Sequence, residues 1–472
     1  MLAAGARVYE VTKRVSATAH GGVGLIHDLV RATGLARRID ASVDVFQRRG
    51  PYSVSDHVLN LAYNVVAGGR TLDDLELRRQ DAAYLDLLGA GRIPDPTTAG
   101  DFLRRFDRAR IDDLSEAVNE TRMLVWKQQP ASFFERATID IDGTIAPSCG
   151  ECKEGVDRAY NGEWGYAPLM VSLSNTGEML YLHNRPGNRP SHEGAFEYLD
   201  PAVELVREAG FAKVRMRGDC HFALTSDFDH WDESGIEFVF GVAAHGSLVD
   251  AVERLEEPDW SELKRRARTT GGRGAPKPRL REERVRERGY RNLVLEREDV
   301  AELEYRPKKC SRVYRLVALR KTIRVEQGQL ELGPEVRYHF YVTNVGRGEL
   351  DTSGVVREAN ERCNQENLIE QAKNGVHAMR MPCDTLLANE AYMNIAALAW
   401  SLKAWLGLMW SDGGKGRELM RMEFRRFVAS VVHIPSQVVQ SGRRIVQRLL
   451  AWSPWIESLL RTHERLRTVR LA

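Results

Sequence analysis

The sequence predicts an α/β protein with a mixed sheet in its middle and helical regions at both ends. Three observations carry this. Residues 20–130 read as short helices separated by Gly and Pro. At Ala137 the pattern changes to strand alternation, with Ile139 and Ile141 set against Asp140 and Asp142. From residue 355 onward the helical pattern returns.

The helical start is punctuated clearly. "GVGLIHDLVRATGLARRI" is helix, a Gly34 break, then helix. "SVSDHVLNLAYNVVAGGRTLDDLELRR" repeats it, with Ser53 or Ser55 expected as N-cap and Thr71 capping the next helix after Gly68–Gly69. "PDPTTAGDFLRRF" starts a further helix at Thr97 or Thr98 and carries Arg104 and Arg105. Short helices, glycine turns and basic positions suit a helix-turn-helix type of DNA-binding region, although ordinary all-α packing gives the same pattern.

The middle of the chain supplies the sheet. "ATIDIDGT" is a strand; "GYAPLMVSL", the turn "NTGE" and "MLYLHNRPG" form a hairpin. A helix over about 191–209, the strand "AKVRMRGD", a helix near 222–233 and the strand "IEFVFGV" follow. Hairpin-joined early strands fit a ribonuclease H-like mixed sheet better than an all-parallel one. Residues 246–345 then interrupt the alternation. Between Lys264 and Arg291 twelve Arg or Lys stand against three Glu, beginning with Lys264, Arg265 and Arg266. Gly and Pro in that run predict a loop, and its sign bias favours phosphate contact over a merely solvated face. "RVYRLVALR" and "VRYHFYVTN" read as strands after it.

Bulk properties bound the rest. At 472 residues the chain exceeds one ordinary core, so two or three domains are expected. Hydrophobic content of 43% with 28% charged residues describes a folded globular chain, and a net charge of +2 leaves the partner to be read from the charge distribution. Six cysteines suggest a reducing cytosol rather than a disulfide scaffold. Cys149 and Cys152 make a lone CxxC, with Cys220–His221 as the one candidate second pair for zinc. The N-terminus lacks a signal-peptide core. In the apolar stretch 386–410, Glu390 and Lys403 leave twelve uncharged residues between them, which predicts a buried helix and no membrane span. A cytoplasmic protein is expected.

Two strands carry acidic residues, which strands disfavour. Asp140 and Asp142 lie on one side of the first, and Asp219 ends the second. Each alone could be a turn or capping residue. Together, buried carboxylates cost several kcal/mol unless a cation neutralises them. Oxygen ligands without paired histidines point to Mg²⁺ or Mn²⁺, and two ions about 4 Å apart suit phosphodiester displacement. In "ERCNQENLIEQAKNG", Arg362, Glu366 and Lys373 are four and seven residues apart, within roughly 40° of one face at about 100° per residue. Arg362 and Glu366 could equally be an ordinary i,i+4 ion pair. Glu370 is the competing acidic position on that helix.

With these motifs in place, the sequence resembles the DDE transposases of bacterial insertion sequences, in the group marked by a Y-R-E-K helix. Arg362, Glu366 and Lys373 fit that spacing, while Ala359 occupies the tyrosine position. "IDIDGT" resembles the first-aspartate strand and selects Asp142, with Asp140 as second choice; "VRMRGDCHF" resembles the second and selects Asp219. The 146 residues between Asp219 and Glu366 match the group's β-rich insertion. The resemblance implies a metal site of Asp142, Asp219 and Glu366 holding Mg²⁺ or Mn²⁺, as two ions. It also implies cut-and-paste transposition in a bacterial cytoplasm, at the nucleoid. DNA contacts would come from Arg362 and Lys373, from Arg104 and Arg105, and from Lys264, Arg265 and Arg266. Partners would be terminal inverted repeats and target DNA, held by a homodimer. The regions implied are 1–130 helical and DNA-binding, 131–245 the first part of the core, 246–345 the basic insertion, 346–411 the second part with the catalytic helix, and 412–472 a helical C-terminal region. The alternatives are a DNA-binding relative without catalysis and a ribonuclease H-like nuclease.

Overall fold

The computed structural model describes residues 16–48, 50–263, 284–288, 291–327, 330–441, 444–450, 452–469 and 471. The chain forms two compact units. Met1–Phe133, Gly143–Arg189 and Asn367–Ala472 make the first; Phe134–Asp142 and Pro190–Glu366 make the second.

The first unit is mostly helical. Its second long helix, Val54–Val66, starts where the sequence suggested: Ser53 accepts from the Asp56 amide and Asp56 accepts from the Ser53 amide, a reciprocal cap. Two other starts differ from expectation. Helix Pro96–Leu103 is capped by Asp95, which accepts from the Thr98 amide at 2.8 Å, because Pro96 suits the first helical position better than either threonine. Thr71 caps nothing; Asp74 gathers the amides of Arg70 and Thr71 ahead of helix Leu75–Arg79.

Helix Leu386–Met409 runs through the core of this unit and is buried on nearly all sides. Its two charges are accommodated separately. Glu390 receives both terminal nitrogens of Arg108, at 2.6 and 2.7 Å, and lies 2.9 Å from His183 Nδ1. Lys403 donates to the Met420 carbonyl at 2.9 Å, with its ammonium 3.7 Å from the centre of the Trp400 ring. Beside this helix, buried Glu178 accepts from Arg122, Trp126, Thr176 and Trp405 at 2.7–3.0 Å. Among the described residues no helix is long and apolar enough to cross a membrane.

The C-terminal region is not wholly helical. Ser436–Ser441 and Arg444–Leu449 form an antiparallel hairpin, and Ser16–Thr18 adds a third strand to it. The β-branched pairs Val438–Val439 and Ile445–Val446 favour extended backbone, and Pro435 stops the preceding helical turn.

The second unit is built on a mixed sheet. Ala137–Gly143, Val214–Gly218 and Ile236–Val242 run parallel, in that order. Leu330–Thr343 continues the sheet antiparallel to Ile236–Val242, with Phe340 opposite Val242, followed by Tyr314–Gln327 and Arg291–Tyr305. The β-rich insertion is therefore an extension of the core sheet. Helix Phe196–Glu208 joins the first two parallel strands in sequence; helix Phe228–Glu233 joins the next two. After the insertion, helix Thr352–Glu361 buries Val355 and Val356 in a cluster with Val239, Val300, Val317 and Leu319.

Two outcomes follow. Glu178→Ala leaves the buried Arg122 guanidinium without its carboxylate and should cost about 3–5 kcal/mol in denaturant unfolding. Burial depresses the Lys403 ammonium from 10.5 to about 7. Between those values the unfolded chain binds the extra proton, so Lys403 makes stability rise with pH across that window and contributes no slope below it. Unfolding measured at several pH values should show this rise, and Lys403→Met should flatten it.

Candidate active site

The register of two parallel strands assembles the site. Asp140 on Ala137–Gly143 lies opposite Arg217 on Val214–Gly218. Side chains alternate along a strand, so Asp142 and Asp219, each two residues further on, reach the same end of the sheet on the same face. Asp219 stands just past its strand and caps the turn Cys220–Phe222, accepting from the His221 amide at 2.8 Å. The neighbouring strand passes this turn closely: a side chain at Gly241 would meet the Cys220 nitrogen at 3.0 Å.

Below the carboxylates, the same face carries a buried charge ladder. Arg217 donates through Nε and Nη2 to both Asp140 oxygens, at 2.7 and 2.8 Å, and through Nη1 to Glu358 at 3.1 Å. Arg215, also buried, pairs with Glu237 at 2.6 Å, Glu349 at 2.8 Å and the other Glu358 oxygen at 3.2 Å. Burial alone would lower the Arg217 pKa; the Asp140 hydrogen bonds and charge, with Glu358 and Glu361, reverse this and hold it above the ordinary value. Glu358 belongs to helix Thr352–Glu361, so two arginines on the sheet anchor that helix. Asp140, the second choice as metal ligand, is fully buried in this ladder.

The helix leads into a cleft of about 410 Å³ whose walls include Asp219, Gly241, Tyr341, Ala359, Arg362 and Glu366. Arg362 does not pair with Glu366. Its Nη1 donates to Asp142 Oδ2 at 2.8 Å, linking the first-strand carboxylate to the cleft wall. Glu366 is left exposed. The uniform helical step assumed from the sequence fails twice here. Helix Thr352–Glu361 ends at Arg362, and a second helix runs Cys363–Glu370. Gln371–Gly375 is then a π turn, closed by the Val376 amide on the Gln371 carbonyl at 2.9 Å.

Other predicted residues are distributed between the units. Lys373 lies in the first unit, where burial holds its ammonium below the ordinary lysine value. Glu370, also in the first unit, accepts from Asn374 at 2.7 Å. Arg104 donates to Asp384 at 2.9 Å, and Arg105 stands over the Phe46 ring with 5.5 Å to its centre. Lys264, Arg265 and Arg266 lie outside the described residues. Cys149 and Cys152 belong to the first unit, and Cys220 and His221 to the second.

Two cleft residues escaped the sequence reading. Tyr341 packs with Ala359 on the apolar cluster under the helix, supplying a phenol ring to the cleft where Ala359 supplies none. Asn360 also lines the cleft, and its buried Nδ2 has no protein acceptor. The strand "VRYHFYVTN" was legible, but the inward position of Tyr341 depends on its pairing with Gly241. Carboxylate oxygens suit a hard divalent cation and a guanidinium suits phosphate, but among the described residues the oxygens of Asp142, Asp219 and Glu366 do not converge to within 4.8 Å of one another.

Against curated proteins the sequence gives no significant match. Among solved structures, the chain is similar to the piggyBac transposase synaptic complex with hairpin DNA, determined by cryo-EM. The match has 12% identity and a TM-score of 0.37, and covers 89% of this chain and 83% of that one. The family described as Transposase DDE domain group 1 matches residues 8–471, and the chain belongs to that family of transposases.

Proposed function

We propose that this transposase carries out cut-and-paste transposition, cleaving and joining DNA at the cleft bounded by Asp219, Arg362 and Glu366. The observation that carries the assignment is the Arg362–Asp142 hydrogen bond, which connects the first-strand aspartate to the wall bearing the other two acidic groups. Asp142, Asp219 and Glu366 would hold divalent ions, with Mg²⁺ or Mn²⁺ fitting their all-oxygen donor set and two ions fitting the reaction. Bound there, the ions would stabilise charge on the attacking and leaving oxygens of the phosphodiester.

The protein's own groups have separable tasks. Arg362 orients Asp142 and presents a planar donor to a phosphate oxygen. The Arg215–Arg217–Glu358 ladder keeps the helix carrying Arg362 from shifting against the strands. Lys373, Arg104, Arg105 and the 264–291 run are proposed as outlying phosphate contacts, and the 1–130 helices as readers of the terminal inverted repeats. A homodimer would hold two ends together.

The test is Mg²⁺-dependent cleavage of DNA carrying the element's own ends. Asp142→Asn, Asp219→Asn and Glu366→Gln should each lower cleavage and strand joining about 10³-fold or more, as expected when several kcal/mol of charge stabilisation is lost. Wild-type cleavage by Asp219→Asn would overturn the assignment. Asp140→Ala should behave differently. It leaves Arg217 buried beside an empty partner position and should cost about 3–5 kcal/mol of folding stability. Asp142→Asn should stay within about 1 kcal/mol of wild type in the same unfolding measurement.

A further inference from the structure

We propose that Asp219, Cys220 and His221 form a site for a soft or borderline divalent ion such as Zn²⁺ or Cd²⁺, sharing Asp219 with the hard-ion cleft. The inference rests on reading Asp219 as a cleft ligand for its functional consequence, but not for the binding itself.

Three kinds of donor meet on one tight turn. A carboxylate oxygen, a thiol sulfur and an imidazole nitrogen all lie within 4.8 Å of one another, and among the described residues this is the one such group of three. The turn is held by Asp219 itself, through the His221 amide, and by the close passage of Gly241 behind Cys220. His221 Nδ1 stands 3.2 Å from Asp219 Oδ2, so the imidazole and the carboxylate already face each other. Cys220 and His221 are exposed and reachable by an ion from solvent.

The geometry needs little adjustment. Bonds of about 2.0–2.3 Å around a tetrahedral zinc set its donors roughly 3.3–3.8 Å apart, so side-chain rotations of about an ångström close the group. One oxygen, one nitrogen and one sulfur with a water as fourth ligand is zinc-like chemistry; Mg²⁺ would not recruit the thiol. On binding, the Cys220 S–H proton leaves to solvent as the metal–sulfur bond forms, with no change of oxidation state. An ion seated there occupies Asp219 and withdraws it from the cleft. The turn would therefore make strand cleavage sensitive to zinc.

The direct test is Cd²⁺ titration of the full-length protein carrying Cys149→Ser, Cys152→Ser and Cys363→Ser; the first two are the other exposed thiols among the described residues. The thiolate-to-cadmium absorption band should rise to one equivalent. Cys220→Ser in that background should abolish the band, and His221→Ala should weaken Cd²⁺ binding about tenfold or more. A band that survives Cys220→Ser, or affinity unchanged in His221→Ala, overturns the proposal. Circular dichroism of each variant establishes that it has folded. Where Mg²⁺-dependent cleavage is present, the Zn²⁺ concentration for half inhibition should rise about tenfold or more in Cys220→Ser, relative to that variant's own uninhibited rate. Absence of cleavage in every protein would count against the proposed function while leaving the cadmium result intact. Cleavage that depends on Asp219, without a Cys220-dependent band, would count against the soft-ion site alone.

Discussion

Arg217 sits at the centre of the second unit, and the arrangement of the cleft follows from what a buried guanidinium requires. A charge that far from water must be met by carboxylates with good geometry or be strongly destabilising. Arg217 hydrogen-bonds Asp140 from the adjacent strand and Glu358 from the covering helix, with Glu361 3.7 Å away. The first contact fixes the pairing of the parallel strands, since a slip of one residue would turn Asp140 to the other face. The second fixes the height of the helix over those strands. Asp142, Asp219 and Arg362 inherit their positions from these two demands.

The first unit applies the same rule around a different element. A 24-residue helix buried on nearly all sides cannot rely on an amphipathic stripe to define its rotation. Glu390 and Lys403 supply that definition, Glu390 through Arg108 and Lys403 through the Met420 carbonyl. Glu178 does the equivalent for the hairpin strand beside it, holding two indole nitrogens, an arginine and a threonine. These polar contacts select one packing among many that an apolar core alone would allow.

What the sequence disclosed divides along similar lines. Strand alternation at Ile139 and Ile141, the acidic strand ends and the apolar 386–410 stretch are local signals, and each corresponds to an observed element. The residue that distinguishes Asp140 from Asp142 is Arg217, 75 residues from the nearer of them, and nothing local announces that partnership. The i,i+4 ion pair that the Arg362–Glu366 spacing allows is not formed for a related reason: a distant aspartate, Asp142, takes the guanidinium. Val438–Val439 and Ile445–Val446 were short β-branched pairs in a basic context, too brief to outweigh the helical pattern around them. The partner strand Ser16–Thr18 lies at the other end of the chain.

The continuity of the insertion with the core sheet has a mechanical meaning. Its strands of 14 and 15 residues span about 46–50 Å at the usual rise of about 3.3 Å per residue. They pair in series, and the innermost, Leu330–Thr343, pairs through Phe340–Thr343 with Ile236–Val242, whose Gly241 backs the Asp219 turn. A pleated sheet resists bending within its plane far more than a loop does. Force applied along these strands therefore acts as a lever's torque on the strand that supports Asp219, with the register shifts at Leu295/Arg297 and Ile323/Val325 as the points where the ribbon can bend.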